Sequence, residues 1–207
     1  MAQNFLTPNQ EIELISKEDD IVVGIDEAGR GPWAGPVAVG FFGFNSQSNP
    51  IDGVQDSKRL TSKKRAELFP QLINNQIAFC LLANSVKIDA VGIGKAIEIL
   101  ITDGISRIVT PNKGKRVLFL IDGYFKEVFD AEYELIKGGD GKFYSIAAAS
   151  IIAKETRDAI MRKYANDYPD YGFEKHMGYG TILHRQMLQK YGACEIHRRS
   201  FGPIKRL

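Results

Sequence analysis

Runs of apolar residues of two kinds divide this chain into predicted strands and helices. Ile21-Val22-Val23-Gly24-Ile25-Asp26 is rich in β-branched residues, ends in acids and reads as a buried strand. Val37 to Phe44 predicts a second strand and Ile77–Val86 a third. Val117-Leu118-Phe119-Leu120-Ile121-Asp122 predicts a fourth, again closing on an acid, and Glu132–Lys137 a short fifth. Helical spacing appears between them. One helix starts after Thr61 or Ser62 and is closed by Asn74-Asn75. Ile93, Ile97, Leu100 and Ile101 give Ile88–Ile108 a helical period that Gly92, Gly94 and Gly104 weaken. The longest helix runs from Ser145 to about Tyr168, and Thr181–Tyr191 forms the last, ended by Gly192. Residues 1–20 read as a polar lead-in with a short helix around Asn9–Lys17, and Gly29 to Pro36 holds too much Gly and Pro for regular structure. No repeat or linker interrupts this order. The expectation is one α/β domain over residues 21–207, with a mixed sheet flanked by helices and a C-terminal helical segment.

Composition supports a packed core and excludes disorder, since 44% of the 207 residues are hydrophobic. A formal net charge of +2 hides an uneven distribution. The lead-in carries Lys17 against Glu11, Glu13, Glu18, Asp19 and Asp20, whereas residues 142–207 hold 12 basic side chains against 6 acidic ones. A basic C-terminal third makes a phosphate-bearing partner possible. Cys80 lies in an apolar run and reads as a small core residue. Cys194 has only His197 nearby, too few ligands for a zinc site. The start of the chain does not resemble a signal peptide, and no apolar run approaches the ~18 residues of a membrane span. A reduced, cytoplasmic setting is therefore expected.

Chemistry concentrates at the strand ends. Asp26 and Glu27 close the first strand and Asp122 the fourth, and acids there are expensive to desolvate unless paired or bound to a cation. If they converge at one sheet edge, their hard oxygens suit Mg²⁺ or Mn²⁺ rather than zinc. Asp140, in the flexible Lys137–Gly141 loop, could be a third contributor after the two strand ends, although taken alone it reads as a turn or helix cap. Gly29-Arg30-Gly31 lacks the GxxxxGK[ST] and GxGxxG spacings of nucleotide-binding loops. Its amides can still approach a phosphate or ribose closely, with Arg30 beside them; a plain turn is the alternative.

Asp26-Glu27-Ala28-Gly29-Arg30-Gly31-Pro32 with Ala34-Gly35-Pro36 resembles the signature of type 2 ribonucleases H, bacterial ribonuclease HII in particular. The resemblance continues through Asp56-Ser57-Lys58-Arg59-Leu60, Ile121-Asp122-Gly123 and Ser145–Asp158. It closes with Tyr171-Gly172-Phe173, His176 through Thr181, and His197-Arg198-Arg199-Ser200-Phe201. It implies an RNase H-like fold and a monomeric endonuclease that cuts RNA in RNA–DNA hybrids. Single ribonucleotides embedded in duplex DNA would be cut on their 5′ side, leaving 5′-phosphate and 3′-hydroxyl ends. By position it makes Asp26, Glu27, Asp122 and Asp140 the catalytic and metal-binding acids. Two Mg²⁺ or Mn²⁺ ions about 3.5–4 Å apart would straddle the phosphate. Gly29, Arg30, Gly31 and Tyr179 match the reader of the ribonucleotide junction. The departure is Gly138-Gly139 before Asp140, where the family usually has a single Gly; the extra residue puts the placement of that carboxylate in question. Lys58, Lys154, Arg157, Arg198 and Arg199 are candidate phosphate contacts. Lys154 and Asp158, four apart on a helix, read equally well as a surface ion pair. His176, His184 and His197 are expected to be structural. Trp33 could either pack beneath the loop or touch substrate.

Overall fold

The computed structural model describes residues 5–15, 17–125 and 129–206. Its strands are β1 (Ile21–Ala28), β2 (Val37–Phe44), β3 (Ile77–Ala83), β4 (Val117–Asp122) and β5 (Glu132–Ile136). They form one mixed sheet in the order β3-β2-β1-β4-β5. β2 is antiparallel to both β1 and β3, while β1–β4 and β4–β5 are parallel. The parallel register sets Ile25 opposite Ile121, so the next residues, Asp26 and Asp122, emerge side by side at the same edge.

The helices are α1 (Pro8–Ile12), α2 (Ser62–Ile73), α3 (Ser85–Val91), α4 (Ile93–Val109), α5 (Tyr144–Asp167), α6 (Phe173–His176), α7 (Ile182–Tyr191) and α8 (Gly202–Lys205). Three elements, two helical and one strand, differ from the sequence pattern for local reasons. The continuous helix expected over Ile88–Ile108 is two, broken where Gly92 takes φ 82°. The third strand ends at Ala83, not Val86, because the Asn84 side chain caps α3 by accepting from the Lys87 amide. The expected helix around Asn9–Lys17 stops at Ile12, after which the Leu14 and Ile15 amides turn back to the Glu11 and Ile12 carbonyls. Met1–Asn4 and Ser16 of the lead-in lie outside the described residues.

Alternation along the strands separates two cores. Val23, Ile25, Val39, Phe41, Phe119 and Ile121 pack under α3 and α4 on one face. Val22, Phe42, Leu118 and Leu120 pack under α2 and α5 on the other. A third cluster, around Ala34, Met161, Phe173 and Leu188, joins the C-terminal helices to the end of α5. α5 lies unusually close to the sheet because Gly24 and Gly40 have no side chain. A Cβ on Gly24 would overlap the Ser145–Ile146 main chain, and one on Gly40 the Ala149 carbonyl. The acidic lead-in, for which the sequence suggests no role, docks on the start of this helix. The Leu6 amide donates to the Lys142 carbonyl at 2.6 Å, and buried Glu11 accepts from the Ser145 amide at 3.1 Å. Among the described residues no helix is long and apolar enough to cross a membrane.

Candidate active site

Each acid reaches the sheet edge by its own route. Asp26 lies near the end of β1, and its Oδ1 accepts from the next amide, that of Glu27, at 2.7 Å. Asp122 ends β4, and its Oδ1 accepts from the Gly139 amide at 2.9 Å. Asp140 sits in a short helical turn just before α5, with its Oδ1 accepting from the Gly141 amide at 3.0 Å. One carboxylate oxygen from each of the three lies within 4.8 Å of the others. The second glycine therefore does not carry Asp140 out of reach. Gly138 takes the left-handed conformation at φ 65°, and Gly139 passes so close to Ile146 that a Cβ would overlap its side chain. Through its amide, Gly139 also ties the Asp140 turn to Asp122.

Such a cluster is electrostatically costly without a cation. Burial, then the charges of Asp122, Glu27 and Asp140, push the Asp26 carboxyl well above the usual carboxylate range. A side chain supplies a cation to the group: Lys58 Nζ bonds Asp140 Oδ2 at 2.7 Å, and that contact raises its own pKa. The ammonium stands where a metal cation fits, and an all-oxygen donor set suits a hard divalent ion. Glu27 is placed differently. Its carboxylate is outside the three-acid group and faces Arg30, with Oε1 at 3.4 Å from Nη1. Burial raises its pKa, and Arg30 opposes the rise.

Beside the acids, the chain from Gly29 to Pro36 folds against two later segments. The Trp33 amide donates to the Gly178 carbonyl, and the Arg198 amide to the Trp33 carbonyl, each at 2.8 Å. This brings Tyr179, 46% exposed, next to Gly31, where a Cβ would sit 3.9 Å from the tyrosine ring. The Trp33 indole packs against Gly180 and lies under the Arg185 guanidinium at 5.4 Å, so it supports the Tyr179 turn from below.

Two expected phosphate contacts are overturned. Arg157 and Arg198 are buried, at 1% and 0% exposure, and cannot meet a substrate phosphate. Arg157 occupies the inward face of α5 in line with Ala153 and Met161, both buried, a helical spacing that its charge obscures. Lys154 is held by Asp158 at 2.7 Å, as its spacing allows. Arg199 is exposed, with its amide held by Asp89. The histidines form a buried structural network. His184 Nδ1 donates to the Tyr179 carbonyl, leaving Nε2 to accept from His197 Nε2–H, and His197 Nδ1 accepts from the Cys194 amide. Burial pushes both rings down to about 4, so they are neutral at physiological pH. Cys80 is half-buried in the core as expected, and burial raises its thiol to about 12.

A cavity of about 600 Å³, lined by Ile21, Phe44, Ile77, Arg107 and Lys115 among others, lies towards the opposite end of β1 from the carboxylates. The exposed Arg30, Gly31 and Tyr179 instead form an open shelf beside Asp26 and Glu27.

A family model described as ribonuclease HII matches residues 23–203 of the chain. The chain is 42% identical over 193 residues to ribonuclease HII of Caldicellulosiruptor bescii, covering 92% of this chain and 91% of that one. Its fold is similar to that of the ribonuclease H2 from Pyrococcus horikoshii OT3, with TM-score 0.66, 25% identity, and coverage of 90% and 96% of the two chains. It is also similar to Bst-RNase HIII in complex with Mn²⁺, with TM-score 0.70, 16% identity, and coverage of 91% and 69%; that likeness concerns the fold alone.

Proposed function

The chain belongs to the ribonuclease HII family and is a ribonuclease H, and from that premise we propose its substrate and mechanism. It hydrolyses the RNA strand of RNA–DNA hybrids and incises 5′ to ribonucleotides embedded in duplex DNA, leaving 5′-phosphate and 3′-hydroxyl ends. The observation that carries this reading is the three-acid cluster beside the Gly29–Gly31 and Tyr179 shelf. Asp26, Asp122 and Asp140 would hold a pair of divalent cations, Mg²⁺ or Mn²⁺, with Glu27 completing the acidic set from the rim. When bound there, divalent cations supply an activated water and charge stabilisation of the departing 3′ oxygen. Lys58 lies at the mouth of the cluster and, once displaced from Asp140, is free to bond a substrate phosphate. The exposed Arg30 and Gly31 main chain can donate to a phosphate or 2′-hydroxyl, the group that separates RNA from DNA. Tyr179 offers its hydroxyl and a ring face to the neighbouring sugar. The protein acts as a monomer in the cytoplasm, in keeping with its two free thiols.

The test is a labelled duplex carrying one ribonucleotide, incubated with Mg²⁺, Mn²⁺ or EDTA and resolved on a sequencing gel. A single metal-dependent cut 5′ to the ribonucleotide is expected. No cut there, or a cut that persists in EDTA, would overturn the reading. Asp26→Asn should abolish cleavage with the fold intact.

A further inference from the structure

Arg157 and Arg198 are the largest fully buried side chains among the described residues, and they meet beneath the shelf that carries Gly29–Gly31 and Tyr179. Their guanidiniums bond main-chain carbonyls. Arg198 Nη2 donates to Gly29 at 2.7 Å and to Pro36 at 3.0 Å, Nη1 to Arg30 at 3.1 Å, and Nε to Gly35 at 2.9 Å. Arg157 Nε donates to Pro36 at 2.9 Å, and its Nη2 to Ala34 at 3.2 Å and to Met177 at 2.9 Å. The Arg157 guanidinium also lies 5.9 Å from the centre of the Tyr179 ring. Gly29, at φ 90°, passes so close that a Cβ would overlap the Arg157 side chain.

We propose that Arg157 and Arg198 are positioning residues for ribonucleotide recognition, bracing the Gly29–Gly31 main chain and the Tyr179 turn into one rigid reading surface. This rests on the function proposed above. A trans peptide points its C=O and N–H in opposite directions. Drawing the Gly29 and Arg30 carbonyls inward therefore turns the Arg30 and Gly31 amides outward, and both residues are exposed. Arg157 ties Ala34 and Pro36 to Met177, two residues before Tyr179, which fixes the spacing between the two halves of the surface. Only a planar fork with several donors can span carbonyls on separate turns; a lysine ammonium on a flexible stem cannot. Two buried cations also place positive potential directly beneath the outward amides, where a phosphate or a 2′-hydroxyl would dock.

The experiment compares the full chain with Arg157→Lys and Arg198→Lys. Fluorescence anisotropy in EDTA measures binding to a duplex with one ribonucleotide and to the same duplex made wholly of DNA. Wild type should prefer the first. Because a misplacement of ~1 Å can cost ~10²-fold, each variant should lose about tenfold or more of that preference. Affinity for the all-DNA duplex and Mn²⁺ binding by the acids should hardly change. Trp33 is the sole tryptophan and lies in the braced loop, so its acrylamide quenching should rise in both variants at temperatures where each remains folded. Folded variants that keep the wild-type preference would overturn the bracing role. A wild type without preference would overturn the functional reading itself. Should Arg198→Lys fail to fold, Arg157→Lys carries the comparison, since a lysine there can still reach one of the three carbonyls.

Discussion

Replacing Glu11 by Gln should change how stability depends on pH, in a direction and by an amount set by one buried carboxyl. Glu11 is fully buried under the first turn of α5, with both oxygens facing the Ser145 amide. Burial pushes it up from 4.5 to about 7, against the opposing pull of its Ser145 bonds. An acid whose pKa is raised by folding adds stability that is fully present below its unfolded value and is lost as pH rises through the folded one. The window therefore runs from pH 4.5 to about 7. At 1.36 kcal/mol per pH unit between the two values, the loss amounts to about 3 kcal/mol. Gln keeps an oxygen for the Ser145 amide and cannot ionise. Its N–H can also serve the Ser145 hydroxyl, which is buried beside it. Urea unfolding of both proteins in EDTA, from pH 5 to pH 8, gives the stability of Glu11→Gln minus that of wild type. This difference should grow from under about 1 kcal/mol at pH 5 to about 3 kcal/mol at pH 8. For a chain of this size that corresponds to roughly 6–12 °C in melting temperature. The other titrating groups occur in both proteins and cancel. A difference that is flat or shrinks with pH would refute the argument.

Three further outcomes follow from other parts of the molecule. Removing Lys58, whose ammonium bonds Asp140 but is largely exposed, should tighten Mn²⁺ binding by at most about fivefold, the worth of a screened pair; calorimetric titration with weaker binding would contradict the stand-in role. Gly24→Ala, with its Cβ driven into the Ser145–Ile146 main chain, should lower stability by about 1–3 kcal/mol in denaturant unfolding, and an unchanged midpoint would show that α5 can lift freely. His184 and His197, both held down to about 4 by burial, resist the protonation that the unfolded chain accepts below 6.5. Stability from that network is present above pH 6.5 and is lost as pH falls towards 4, so Trp33 fluorescence should report earlier thermal loosening at pH 5 than at pH 7.

Much of this protein is written in local pattern. The β-branched runs ending in Asp26 and Asp122, the Thr61 cap with Asn74 at the other end, and the Ala-rich start of α5 each place an element within a few residues, because the forces that define them act between near neighbours. Asp26 and Asp122 were legible as neighbours, since charge at the end of an apolar strand needs a partner and the motifs around them run in one family's order, whereas Glu27, read with them, faces Arg30 outside the cluster. What sequence could not decide was which charges face solvent. Arg157 and Arg198 read as candidate phosphate contacts and are buried, because most of their partners are carbonyls more than a hundred residues away in the chain. Glu11 read only as one acid of a polar lead-in and is buried at a helix start for the same reason. An extra glycine put the placement of Asp140 in question, and there Gly138 turns left-handed and Gly139 bonds Asp122, keeping the carboxylate in the cluster. The types of residue determined the elements and the chemistry on offer. Long-range packing, which fixes the depth and partner of each charge, decided which residues form the site and which hold it in shape.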